Sequence, residues 1–109
     1  MSDERAIAAD PRHIDAQLAR AGLLLDMNRD ADALAQVQAL LKLAPTEPRA
    51  LYLNAVLAER RGDAATARAG LKAVTEQLDP VPIEFIRFRP QALMLNGLAH
   101  YGLGQMEKA

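Results

Sequence analysis

An all-α chain of stacked antiparallel helix pairs is what this sequence predicts, on three observations. Its apolar residues are mostly alanine and leucine, with few aromatic or β-branched ones, which favours helix over strand by intrinsic preference. Landmarks recur 34 positions apart, Pro11 with Pro45 and Ala21 with Ala55. Small residues recur at a second interval: Ala21, Ala55 and Gly97 are each followed twelve residues later by an alanine, Ala33, Ala67 and Ala109. A fixed period of this size marks a repeat array, in which each unit buries its apolar face against the next.

The elements follow in order. The spacing predicts helices over 13–27, 31–43, 48–61, 64–78 and 90–103. The first is irregular at its start, where polar Gln17 and Arg20 interrupt the apolar pattern. It ends at Asn28, which tolerates the left-handed backbone of a tight turn. Asp30 stands as N-cap or first-turn acid of the second helix, which presents Ala33, Val37 and Leu40 and closes before Pro45. Pro48 opens the third, where its missing N–H costs nothing. Leu51, Ala55 and Ala58 form its packing face, and Gly62-Asp63 make the next turn. The fourth helix packs through Ala67 and Leu71 and is closed by Pro80. Pro90 opens the fifth.

Between the fourth and fifth helices the period breaks. Equivalent residues there lie 42 apart, and the excess falls in DPVPIEFIRFRP, Asp79 to Pro90, which holds both phenylalanines, Phe85 and Phe88. Three prolines oppose a long helix in it. Two readings stand: the aromatics plug the seam between units, or the segment lines a binding groove.

Composition excludes much chemistry. There is no cysteine, so thiolate metal sites, disulfides and cysteine nucleophiles are all ruled out, and Ser2 is the sole serine. The two histidines, His13 and His100, have no neighbours that complete a metal or catalytic set, and read as a solvated or capping residue and a packing residue. Asp26, Asp30 and Asp32 lack the ligand ladder of a calcium loop. The net charge of −1 is spread evenly, and Arg60, Arg61, Arg68 and Lys72 are interspersed with acids, which argues against nucleic acid as partner. No apolar run reaches the roughly 20 residues of a membrane span. The expectation is a non-enzyme without cofactor or metal.

The pattern resembles the tetratricopeptide repeat family over nearly the whole chain, carried by Leu51, Ala55, Ala58, Gly62, Ala67, Leu71 and Pro80 in the second unit. The resemblance implies a right-handed superhelical solenoid, truncated at both ends. Residues 1–11 would end a preceding repeat, 12–45 and 46–80 would be repeats, 81–89 an irregular insertion, and 90–109 the start of a further repeat. The insertion followed by LMLNGLAHYGLGQ is similar to the repeat lipoproteins that accompany bacterial exosortase and exopolysaccharide systems. That likeness implies a bacterial scaffold and favours an envelope or periplasmic setting over a cytoplasmic one.

Function follows from the resemblance: a protein-interaction scaffold taking a peptide or partner helix in a concave groove. The alternatives are an envelope scaffold of an exopolysaccharide system, or a docking module fused to an enzyme outside this segment. Transferring the family's groove face by register gives Leu18, Arg49, Tyr52, Val56, Glu59, Arg60, Met94, Leu98 and Tyr101 as lining residues. Leu18, Gly22, Leu53 and Leu95 stand where the subclass that clamps chain-terminal carboxylates has lysines and asparagines, so such termini are not the expected ligand. Ala55, Ala67 and Gly62 are structural in this register. So are Asn54 and Asn96, placed alike in LYLNAVLAERRGD and LMLNGLAHYGLGQ and expected to bond adjacent helices. An unpaired last helix would also expose Leu93, Gly97 and Leu98 and promote self-association.

Overall fold

The computed structural model describes residues 11–82, 84 and 89–108. Five long helices run through them: α1 (Pro11–Asp26), α2 (Asp30–Leu43), α3 (Pro48–Arg60), α4 (Ala64–Leu78) and α5 (Pro90–Lys108). No strand occurs among the described residues. The all-α expectation therefore holds, and four of the five predicted helices begin and end within two residues of the observed bounds.

Local chemistry explains where the helices stop. Asn28 (φ 59°) and Gly62 (φ 81°) adopt the left-handed conformation, 34 residues apart. Around each, the same pair of hydrogen bonds closes the helix: Arg29 N–H donates to the Leu24 carbonyl and Asn28 N–H to Leu25, as Asp63 N–H donates to Ala58 and Gly62 N–H to Glu59. This is the Schellman closure, which satisfies carbonyls a helix end would otherwise leave orphaned. Two helices, α3 and α4, are capped at their starts by side chains. Glu47 accepts the Arg49 backbone N–H at 2.8 Å, ahead of Pro48, and Asp63 accepts that of Thr66 at 3.1 Å. Asp30 falls in the first turn of α2, while the cap position is held by Arg29 without a side-chain bond.

The fifth helix departs from expectation. A turn was predicted after residue 103, yet α5 continues through Gly102 and Gly104 to Lys108. Glycine weakens a helix by about 1 kcal/mol relative to alanine without forbidding it. Here Leu103 and Met106 pack against the Leu71–Val74 core, which offsets that weakness. Gly102 is needed for the approach: a Cβ there would lie 2.8 Å from Leu71 Cδ1.

Each helix packs on the next in sequence, and α3 also touches α1 and α5. One face of α3, Leu53 and Leu57, closes the core of the first pair around Ala21, Ala33, Val37 and Leu40. Its other face, Leu51 and Ala55, packs against Leu71 and Val74 of α4. Ala55 and Ala67 are fully buried, but the tightest contact between α3 and α4 is made by a residue the repeat pattern did not single out. A Cβ on Gly70 would meet that of Ala55 at 2.9 Å and the Leu51 carbonyl at 3.2 Å. Of the segment expected to plug a seam or line a groove, Ile83, Phe85, Ile86, Arg87 and Phe88 lie outside the described residues, as do residues 1–10 and Ala109.

Candidate binding site

The predicted groove residues sort into five environments. Tyr52, Val56 and Glu59 from α3 and Leu98 and Tyr101 from α5 converge on one cavity of about 410 Å³. Its remaining wall is Ala55, Leu71, Gly102, Gln105 and Met106. The buried floor, Ala55 and Leu71, belongs to the core, whereas Tyr101 at the rim is 67% exposed. Neighbouring turns of two helices thus present tyrosines and aliphatic groups over an apolar base.

A larger cleft of about 740 Å³ opens where the starts of α3 and α5 meet, lined by Asp15, Glu47, Arg49, Leu78, Arg89, Pro90 and Leu95 among others. Arg49 lies here, but it is already engaged. Its guanidinium reaches Asp15 at 2.6 Å and Glu47 at 2.7 Å. The Glu47 bond, and then Asp15, hold it more firmly protonated than an isolated arginine despite partial loss of hydration. Arg60 lies elsewhere again, in a small hollow with Asp30, Leu34 and Leu57, bonded to Asp30 at 2.7 Å and to the Leu25 carbonyl at 3.3 Å. Both arginines therefore tie α3 to the first pair. Met94 is 62% exposed on α5 and lines neither cavity.

Leu18 is a correction. At 8% exposure it sits in the core with Leu40 and Ala50 and lines no groove. It is the register equivalent of Tyr52, but Ala50 of α3 packs over it, whereas Tyr52 is only partly buried.

The two asparagines span helix pairs. Asn54 Oδ1 accepts from Gln38 Nε2 of α2 at 3.1 Å, and Asn96 Nδ2 donates to Asp79 at the end of α4 at 2.9 Å. His100 Nε2 meets the same Asp79 oxygen at 2.8 Å. The packing role expected of His100 does not hold, because its ring is over half exposed and one helical turn beyond Asn96, within reach of the carboxylate. Bonding to His100 and then Asn96 keeps the Asp79 carboxyl below its ordinary 3.8. His13 shares a 2.7 Å contact with Gln17.

Compared with family models, curated proteins and solved structures, the chain matches none. The site is therefore read from its own chemistry. Among the described residues no three His, Asp or Glu converge as a metal-binding group, and no helix is long and apolar enough to cross a membrane. Tyr52 is the titratable group most informative about the cavity: partial burial raises its pKa above the ordinary 10.0, and the nearby Glu59 charge raises it further. A carboxylate, a shielded phenol and an exposed one, on apolar walls, suit recognition of a side chain. Gly70, which lets α4 close against α3, was missed by the repeat pattern because glycine at a helix interior reads from sequence as mere weakness.

Proposed function

We propose that this chain is a non-catalytic protein-interaction module of tetratricopeptide-repeat character, taking a peptide or partner helix in the cavity between α3 and α5. One observation carries the reading: equivalent turns of two repeated helices bring Tyr52, Val56, Leu98 and Tyr101 to one open cavity. Tyrosine over a desolvated apolar floor is a combination in which interface hot spots are enriched. The solenoid form of the fold belongs to the same proposal. It is supported by the sequential packing of the helices and by the matched turns at Asn28 and Gly62. Further support is that the starts of α1, α3 and α5 face one cleft, through Asp15, Arg49 and Pro90.

The test is selection of binders from a displayed random peptide library on the immobilised protein. Tyr101→Ala is expected to weaken the selected peptides by about tenfold or more, with helical circular dichroism and Tm unchanged. Tyr52→Ala, which also touches the core, is expected to do the same with a modest loss of Tm. Selected peptides that bind both variants as well as the parent protein would overturn the reading.

A further inference from the structure

The cavity between α3 and α5 has a sign. Glu59 is the sole ionised residue among those lining it at neutral pH; the others are apolar, amide or phenol. Its carboxylate makes no ion pair among the described residues, while the cations beside it in sequence are taken up elsewhere: Arg60 by Asp30 at 2.7 Å and Arg61 by Asp63 at 3.4 Å. The charge is felt inside the cavity, because it adds to the suppressed acidity of the Tyr52 phenol two turns away on the same helix. An anionic ligand would meet this carboxylate as repulsion in a partly desolvated site. A cation would meet two electron-rich rings and a free acid.

We propose that this cavity selects a basic side chain, arginine or lysine on an otherwise apolar peptide, holding the cation between Tyr52, Tyr101 and Glu59. The proposal rests on the protein-binding reading above and names what that site would take. The methylene stem lies on the apolar floor, as long cationic side chains bury their stems and keep their heads polar. The head gains from the ring faces and from a charge-assisted bond to Glu59. The larger cleft carries no net charge to favour such a ligand, since its two carboxylates, Asp15 and Glu47, are both bonded to Arg49 and are balanced by Arg49 and Arg89.

The chain has two tyrosines, so their ring-proton resonances report on this cavity alone. The probe is N-acetyl-arginine methylamide, with the isosteric but neutral citrulline amide and the acidic glutamate amide as comparisons. Saturable shifts of both tyrosines are expected with the arginine probe and not with the other two. Glu59→Gln should raise its half-saturation concentration about three- to tenfold, and Glu59→Lys should abolish binding. Equal response to citrulline, or indifference to Glu59→Gln, would overturn the proposal. The displayed library separates this from the parent reading. Peptides that depend on Tyr101 yet lack basic residues sink the inference and leave the groove standing; an absence of Tyr101-dependent peptides sinks both.

Discussion

Helices α3 and α5 carry nearly the same sequence pattern but lie in different surroundings. α3 is enclosed on two faces, by the first pair through Leu53 and Leu57 and by α4 through Leu51 and Ala55. α5 is docked on one face, Leu95 and Ala99, which are the register equivalents of Leu53 and Leu57. The positions matching Leu51, Tyr52, Ala55 and Val56 are Leu93, Met94, Gly97 and Leu98, and all four are exposed. The polar clamps differ in the same direction. Arg49 and Arg60 anchor the two ends of α3 to Asp15 and Asp30, and at the equivalent places α5 has Gln91 and Gly102. Its polar attachment is instead the single Asp79 carboxylate, shared by Asn96 and His100. An identical apolar stripe is core when something lies against it and a sticky surface when nothing does.

That contrast can be broken most sharply by matched truncations. Leu57→Ala, at a site only 3% exposed, should cost about 2–5 kcal/mol in denaturant unfolding. Leu98→Ala, at 41% exposure on α5, should cost under about 1 kcal/mol. Comparable losses would mean that α5 is enclosed as α3 is. Glycine substitutions make the next test. Gly70→Ala forces a Cβ against Ala55 and should destabilise by about 1–3 kcal/mol. Gly97→Ala meets nothing within 4 Å and should stabilise by about 0.5–1 kcal/mol through helix propensity.

The open face of α5 should also drive association. Sedimentation is expected to show concentration-dependent self-association that Met94→Glu with Leu98→Glu suppresses, without change in helical content. A monomer at high concentration would show that Leu93, Met94 and Leu98 are too dispersed to act as one patch. A smaller effect concerns Asp79. Its folded-state pKa is depressed by His100 and Asn96, so its stabilisation is complete above the ordinary value of 3.8 and lost as pH falls through the depressed one. The parent protein should therefore be more stable than Asp79→Asn at about pH 6, and the gap should narrow once the pH falls below the ordinary 3.8 and close below the depressed value. The smallest expected change is optical: Glu59→Gln should bring the raised Tyr52 pKa part of the way back, because burial supplies the larger share of the shift. Ultraviolet titration of the two phenols reads it.

The repeated elements were legible because their signals are local. Asn28 and Gly62 mark turns by backbone conformation, Pro48 and Pro90 mark helix starts, and alanine and leucine at helical spacing mark the faces. Leu18 was misplaced by the same register that sets Tyr52 at a cavity wall, since register specifies a position on a helix and not what packs against it. Gly70 escaped notice because its role exists only relative to Ala55 across a helix interface. The end of α5 was misjudged because a Gly-X-Gly run suggests a turn, and only packing of Leu103 and Met106 reveals a helix held through it.

By itself the sequence determined the helical class, the turns and the period, for these follow from propensity and backbone sterics within a few residues. Tertiary structure decided which copies of a repeated stripe are buried, which arginines are already paired, and which side chains meet in the cavity of Tyr52, Glu59 and Tyr101. Burial and ion pairing are relations between segments distant in the chain, and such relations have no value until the helices are set side by side.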